Sequence, residues 1–232
     1  LFGEHFEVLD DHKNWHLIRL AYDDYECWIE SKQFLPVSKK IFNELNELPI
    51  VCFTDLVRFI VNKKDASILP IVLGSSLTYL KGNVCNVGGN EYSFYEKQVN
   101  GGEKTIRELI LENSKKYLNA PYLWGGRSPF GIDCSGFTQM VFKLCGIRLP
   151  RDAHRQAETG KTISFVEEAE QGDLAFFDDE ERRITHVGII LENDKIIHAS
   201  GRVRIDKIDQ QGIYNVDTKE YSHTLRLLKK VV

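Results

Sequence analysis

The sequence predicts an α+β protein in which small β-barrel domains precede a domain with helices packed on an antiparallel sheet. Three short β-patterned runs, at residues 6–9, 15–20 and 26–29, open the chain and are separated by polar turns. Two helical patterns follow in the second half, and strand-like runs come after them. The predicted late strands cover residues 174–177, 185–191, 195–199 and 224–228. Helices that precede strands, rather than alternating with them, are typical of α+β domains.

Composition excludes several classes of protein. The 232 residues are 42% hydrophobic and 28% charged, which is typical of folded globular chains and not of disordered ones. The formal net charge of -4 gives no basic footprint for nucleic acid. The longest apolar run, residues 68–73, is far shorter than the ~20 residues that span a membrane. We therefore expect a protein that binds no nucleic acid and does not cross a bilayer. A monomer is expected as well.

The cysteine pattern bears on the compartment. Five widely spaced cysteines include no Cys-x-x-Cys pair, and an odd number leaves at least one thiol unpaired. A reducing, cytoplasmic environment is the simpler interpretation. Export stays the alternative, because a signal peptide ahead of Leu1 would lie outside the sequence.

The best linker lies at residues 98–102, where a Gly pair beside Asn100 breaks helix and strand patterns alike. We place the main domain boundary there and predict three domains, at residues 1–36, 37–98 and 99–232. Further strands of the middle domain are expected near residues 56–61, 71–73, 77–80, 84–87 and 92–95.

Two helices are predicted after the linker. Apolar residues recur at three- and four-residue steps from Ile106 to Leu118, and that helix stops before Pro121. A second helix begins at Cys134, buries a stripe that includes Phe137, and ends before Gly146.

Cys134 is the candidate nucleophile. At a helix start, unpaired N–H groups and the helix dipole stabilise an anion, so we expect a thiolate with a lowered pKa. Asp133 opposes that effect unless its carboxylate is turned elsewhere, for instance toward a cationic substrate group. The alternative is that Cys134 is a buried structural cysteine.

His186 and His198 are the candidate base and its orienting partner. If Leu191 pairs with Lys195 around a three-residue loop, residue 198 lies opposite residue 188, and both imidazoles share one face as diagonal neighbours. A two-residue turn would place them on opposite faces. We therefore predict the three-residue loop, with His186 taking the thiol proton and His198 orienting it. The other histidines, including His223, lack such a setting.

Two other interpretations of these residues remain open. Each histidine taken alone is a candidate for an ordinary hydrogen-bonded residue of a sheet. Cys134, His186 and His198 together could bind zinc, although the close-spaced ligand pairs typical of zinc sites are missing.

At these residues the sequence resembles the NlpC-type family of bacterial cell-wall cysteine peptidases, which have a compact papain-like fold. Six segments carry the resemblance, in the family's order and approximate spacing. They are 122–126 (YLWGG), 133–137 (DCSGF), 149–152 (LPRD), 172–177 (GDLAFF), 186–189 (HVGI) and 197–199 (IHA). The resemblance covers residues 103 to 232. It implies Cys134 as nucleophile, His186 as base and His198 as the third polar residue, with no metal and no cofactor.

The N-terminal part resembles bacterial SH3-like domains at residues 15–20 (WHLIRL) and 24–29 (DYECWI). Cys27 departs from the usual pattern, which has Gly before the Trp. The opening strands expected ahead of Leu1 are absent, so residues 1–36 are predicted to be a partial SH3-like domain and residues 37–98 a second one.

The combination resembles endopeptidases that cut murein stem peptides between D-Glu and the diamino acid. It implies murein-derived peptides with a free N-terminal L-Ala as substrates and a thioester intermediate. It also implies that substrate contacts come from Tyr122, Asp133, Ser135, Asp152 and, from the SH3-like domain, Tyr25. The alternatives are a murein-binding or scaffolding protein with an inactive peptidase domain, and an amidase or acyltransferase that uses the same triad.

Overall fold

The computed structural model describes residues 1–94, 104–192 and 194–232. The chain divides into two compact units, Leu1–Asn100 and Gly101–Val232. The predicted linker at residues 98–102 lies outside the described residues. Residues 1–36 and 37–98, predicted as separate domains, both belong to the first unit.

The first unit opens with an antiparallel sheet of three strands, where the sequence predicts them. They are β1 (Phe6–His12), β2 (Trp15–Leu20) and β3 (Glu26–Glu30), in the order β1-β2-β3. A 3₁₀ turn at Ser31–Gln33 follows. Ile18 on the central strand is buried.

The rest of this unit begins with helix α1 (Lys39–Glu47), whose N-terminus is capped by the Ser38 hydroxyl. A second antiparallel sheet, in the order β5-β4-β7-β6, follows it. Its strands are β4 (Val57–Asn62), β5 (Ile68–Val72), β6 (Val84–Val87) and β7 (Asn90–Ser93). The strand predicted at residues 77–80 is wrong. Tyr79 has a positive φ of 49° in a turn, so Leu77 reaches the core from irregular backbone.

The second unit begins with the two predicted helices, α2 (Ile106–Lys116) and α3 (Cys134–Leu144). Thr105 and Glu108 form a capping box at the start of α2. The segment between the helices contains two short strands, β8 (Arg127–Ser128) and β9 (Gly131–Ile132). Helix α3 is buried on almost every side, and a short helix α4 (Ala153–Gln156) follows it.

Seven antiparallel strands complete the second unit, in the order β10-β16-β11-β12-β13-β14-β15. A 3₁₀ turn at Val166–Glu168 lies between the first two of them in the chain. The strands are β10 (Lys161–Ile163), β11 (Leu174–Asp178), β12 (Ile184–Leu191), β13 (Lys195–Ser200), β14 (Arg202–Ile208), β15 (Gly212–Asn215) and β16 (Glu220–Lys230). Strand β15 also pairs with β16, so six strands close into a barrel and β10 extends it.

The barrel corrects part of the predicted fold. Helix α3 does pack on β12 and β13, as expected for helices on an antiparallel sheet. The closure was missed because β14 and β15 were not recognised as strands. On β14 a buried position is occupied by the carboxylate of Asp206, where an apolar residue would have completed the alternating pattern.

Candidate active site

Cys134 is the first residue of α3, as predicted, and its side chain is only 7% exposed. Its thiol lies 3.9 Å from the carbonyl oxygen of Thr185 and accepts a hydrogen bond from the backbone N–H of Val187. These two residues flank His186 on β12. The fold therefore brings the start of the buried helix alongside the strand that carries the predicted base.

Asp133 is the N-cap of α3, and its Oδ1 accepts from the N–H of Gly136 at 2.7 Å. The carboxylate does meet a cation, but that cation belongs to the chain and not to a substrate. The two terminal guanidinium nitrogens of Arg151 donate to it, at 3.0 and 2.5 Å. The N–H of Gly125 also donates to Oδ2, at 2.7 Å. A substrate ammonium would have to share this buried, already paired carboxylate.

The predicted lowering of the Cys134 pKa is wrong for the free protein. Burial of the thiol, followed by the negative charge of Asp133, raises the pKa of Cys134 to about 11. The helix start and the Arg151 guanidinium act in the opposite direction, but desolvation of the sulfur outweighs them. The Cys134 side chain of the free protein is therefore a neutral thiol.

The two predicted histidines are in direct contact. Leu191 pairs with Lys195 and Gly188 pairs with His198, which confirms the register predicted from the three-residue loop. Nε2 of His186 lies 2.8 Å from Nδ1 of His198, with the rings close to perpendicular. Gly188 makes room for this arrangement, because a Cβ there would lie 2.9 Å from the Cβ of His198.

A carboxylate behind His198 was not predicted. Oδ2 of Asp206 lies 3.0 Å from Nε2 of His198, and both side chains are almost fully buried. Arg204 donates to both oxygens of Asp206, and the N–H of Val216 donates to Oδ1. The signal in the sequence is Asp206 itself, a charged residue at a buried position of β14. The signal can be read only when β14 is recognised as a strand.

His223 was set aside at the level of sequence, and the structure brings it to the site. Its ring stacks on that of His186, with centroids 4.1 Å apart and planes 25° apart. Strand β16 delivers it, because Phe177 pairs with His186 on one side and with Leu225 on the other. His223 also borders a cavity of about 560 Å³ that is lined by Thr185 and Asp178.

The three imidazoles are neutral near pH 7. Burial, together with the neighbouring histidines, holds the pKa of His186 well below its usual range. Burial also lowers the pKa of His198, although Asp206 opposes the shift. Burial and the charge of His198 lower the pKa of His223 to about 4. The free site therefore combines a neutral thiol with neutral imidazoles.

The predicted substrate contacts fall in different places. Tyr122 is half-buried, and burial and then the charges of Cys134 and Asp133 raise its pKa. Ser135 is buried and accepts a hydrogen bond from Arg151 at 2.9 Å. Asp152 is the half-buried N-cap residue of α4. Tyr25 lies in the first unit, just before β3, and its role stays a prediction.

The zinc alternative finds little support in this geometry. Both ring nitrogens of His198 are engaged, one with His186 and one with Asp206. Within residues 1–94, 104–192 and 194–232, no group of three or more His, Cys, Asp or Glu side chains is arranged to hold a metal ion.

A thiol at the start of a buried helix, alongside a barrel strand with one of two paired histidines, is the kind of arrangement that cysteine peptidases use. Residues 119–221 match the NlpC/P60 family, and residues 1–34 match the bacterial dipeptidyl-peptidase SH3 domain. The chain therefore contains an NlpC/P60 domain, from a family of cysteine peptidases, together with a bacterial SH3 domain. The resemblance predicted from the motifs is confirmed.

Two curated relatives carry the same name, γ-D-glutamyl-L-lysine dipeptidyl-peptidase. The protein from Bacillus subtilis strain 168 is 42% identical over 99 residues, which are 42% of this chain and 33% of the relative. The protein from Bacillus cereus is 27% identical over 222 residues, which are 86% of this chain and 66% of the relative. The chain thus spans between a third and just under two thirds of these relatives.

A solved structure supports the fold along the whole chain. The crystal structure of an NlpC/P60 family protein from Bacillus cereus ATCC 10987 superposes with a TM-score of 0.81. It covers 100% of this chain and 80% of the other, at 22% sequence identity. In the parts of the chain that the structure describes, no helix has the length and apolarity needed to cross a membrane.

Proposed function

We propose that this protein is a cysteine endopeptidase that hydrolyses the bond between γ-D-Glu and the diamino acid in murein stem peptides with a free N-terminal L-Ala. The observation that supports this proposal most directly is that the Cys134 thiol contacts the backbone on both sides of His186. The ring of His186 is in turn held by His198. The names of the two Bacillus relatives support the choice of bond. Cys134, His186 and His198 are the proposed triad.

In the proposed acylation step, Cys134 is activated as it attacks. A thiol whose pKa is raised and an imidazole whose pKa is lowered do not form an ion pair in advance. The proton therefore passes from Sγ to Nδ1 of His186 while Sγ bonds to the γ-carbonyl carbon of D-Glu. The imidazolium then gives that proton to the leaving amine as the C–N bond breaks, which leaves a thioester.

Deacylation reverses the proton path. Nδ1 of His186 takes a proton from water, whose oxygen attacks the thioester carbonyl, and the C–S bond breaks to release L-Ala-D-Glu. The Cys134 sulfur recovers its proton from the imidazolium. The cycle returns both groups to their neutral forms and requires no cofactor.

The oxyanion of each tetrahedral intermediate would lie at the start of α3. The N–H of Cys134 is among the helix donors that have no intrahelical acceptor. The Tyr122 hydroxyl, whose pKa responds to the charge of Cys134, is the proposed second donor. Removal of one such donor typically costs about 10² to 10³ in rate.

The amine of L-Ala would share Asp133 with Arg151, since both carboxylate oxygens already accept hydrogen bonds. Ser135 contributes a hydroxyl held by Arg151, and Asp152 shapes the acyl side of the site. Requirement for the free amine is testable, because an N-acetylated peptide has no ammonium to offer and should be cleaved far more slowly.

The deciding experiment compares L-Ala-γ-D-Glu-L-Lys, L-Ala-γ-D-Glu-diaminopimelate and intact murein as substrates, with products identified by mass spectrometry. Dipeptide release by the wild-type protein and its loss in Cys134→Ala support the proposal. Cys145→Ala is the matched control, because Cys145 lies at the far end of the same helix and should leave activity intact.

Other outcomes would favour the alternative functions. Binding of murein without release of dipeptide would indicate a binding or scaffolding protein. Cleavage at another amide, or transfer of the acyl group to an added amine, would indicate an amidase or acyltransferase.

A further inference from the structure

Asp206 is a buried carboxylate that is surrounded by hydrogen-bond donors and contacts His198. It is 1% exposed and lies on β14, on the side of His198 that is remote from His186. Its oxygens accept from His198, from Nε and NH2 of Arg204, and from the N–H of Val216, at 2.7 to 3.0 Å. Burial would raise its pKa, but these donors hold the pKa well below its usual range, so the group is an anion at neutral pH.

An anionic carboxylate only accepts hydrogen bonds, and this determines the protons of both histidines in turn. Nε2 of His198 must carry the hydrogen that points at Asp206. A neutral imidazole has a single N–H, so Nδ1 of His198 is an acceptor and Nε2 of His186 must donate to it across 2.8 Å. The lone pair of His186 is then on Nδ1.

We propose that Asp206 is a positioning residue that, through His198, keeps His186 in the tautomer whose Nδ1 can accept the proton of the Cys134 thiol. This inference rests on the proposed function. The opposite chain of protons, with an N–H on Nδ1 of both rings, satisfies the His186–His198 contact equally well. It would leave Nδ1 of His186 protonated and unable to act as a base.

Because Arg204 compensates the charge of Asp206, Asp206 acts on His198 by orienting its hydrogen bond rather than by its charge. Its guanidinium forms a two-point ion pair with Asp206 and reaches Asp217 at 2.9 Å. The charged and titratable groups packed around His198 are thus His186, His223, Asp206 and Arg204. The carboxylate charge is largely compensated, while its acceptor geometry remains.

The variant Asp206→Asn tests this inference. The amide has one acceptor oxygen and one donor nitrogen, so it no longer forces a hydrogen onto Nε2 of His198. In a serine protease triad the corresponding loss of the correct tautomer costs about 10⁴ in kcat. Asp206 acts on His186 only through the ring of His198, so we expect a smaller loss. The kcat for L-Ala-γ-D-Glu-L-Lys should fall by about 10- to 1000-fold. KM should stay within about threefold, because the buried carboxylate cannot reach substrate.

Asp173→Asn is the matched control, since Asp173 is also a fully buried carboxylate paired with an arginine, Arg107, at 3.0 Å. Both variants should lose stability, but only Asp206→Asn should lose kcat. The acid limb of its kcat profile should also move to lower pH, because the hydrogen bond to Asp206 raises the pKa of His198.

Nitrogen-15 NMR of the wild-type histidine rings decides the matter even if the variant does not fold. The inference requires N–H on Nε2 and a lone pair on Nδ1 in both His186 and His198. An N–H on Nδ1 of His186, or a kcat within about threefold of wild type in folded Asp206→Asn, would overturn it. A wild-type protein with the expected tautomers but no cleavage of stem peptides would contradict the proposed function alone.

Discussion

The rings of His186 and His223 stack with centroids 4.1 Å apart, although the two residues come from strands on opposite sides of β11. His223 is neutral at pH 7, because burial and His198 lower its pKa to about 4. Its contribution to the site is therefore a flat surface against the proposed base, not a charge. The pairing of β16 with β11 supplies this surface, since β11 also pairs with the strand that carries His186.

Substitution of His223 should reveal this packing role. His223→Ala removes the ring that supports His186, and we expect kcat to fall by about 10- to 100-fold, since a misplacement of about 1 Å can cost about 10²-fold in rate. His223→Phe keeps a flat ring and should retain most of the activity. Equal damage by both substitutions in a steady-state assay would show that the imidazole nitrogens matter, and would contradict a packing role.

The thiol of Cys134 should react slowly with alkylating reagents at neutral pH. Because burial and Asp133 raise its pKa to about 11, the thiolate fraction should increase about tenfold per pH unit from pH 6 to 9. The measurement is the rate of iodoacetamide modification at Cys134, followed by peptide mass mapping, with a free thiol such as glutathione as comparison. A rate that is already constant below pH 7 would show a preformed ion pair and contradict the proposed order of proton transfer.

Folding stability should decrease as the pH is lowered from about 6.5 toward 4. A histidine whose pKa is lowered by folding binds its proton more readily in the unfolded chain, so protonation favours unfolding. The lowered pKa values of His186, His198 and His223 all have this sign. Urea titrations of the wild type at pH 7 and pH 5 check the prediction, and His223→Phe should show a smaller decrease. Equal free energies of unfolding at the two pH values would contradict it.

Gly188 is required for the contact between the histidines. A Cβ on residue 188 would lie 2.7 Å from Ile196 Cδ1 and 2.9 Å from His198 Cβ. Gly188→Ala should destabilise the fold by about 1 to 3 kcal/mol through overpacking and should also displace His198. Gly146→Ala is the control, since it has open space but a φ of +77°, so it should cost stability without loss of kcat. Full activity in Gly188→Ala would show that the His186–His198 contact tolerates displacement.

The sequence was sufficient for the local parts of the site. A helix start at Cys134 follows from the pattern of residues around it, and the pairing of Gly188 with His198 follows from the length of one loop. Both depend on residues that are close together in the chain, which is where periodicity and turn geometry are informative.

The remaining parts depend on contacts between distant residues. His223 reaches His186 only because β16 pairs with β11, and no local pattern encodes that pairing. Asp206 reaches His198 through the pairing of β13 with β14, which was missed because β14 was not recognised as a strand. The raised pKa of Cys134 likewise depends on how deeply α3 is buried, and the paired state of Asp133 on the approach of Arg151. Burial of this kind is a property of the folded domain and not of the helix start.

The central claim is that the sulfur of Cys134 forms a bond to the γ-carbonyl carbon of D-Glu. The direct measurement is mass spectrometry of the wild-type protein, rapidly quenched in acid during turnover of L-Ala-γ-D-Glu-L-Lys. We expect a protein species heavier by one L-Ala-γ-D-Glu acyl group, located on the peptide that contains Cys134 and absent from Cys134→Ala. Turnover of that substrate by Cys134→Ala at the wild-type rate, or an acyl group on another residue, would contradict it.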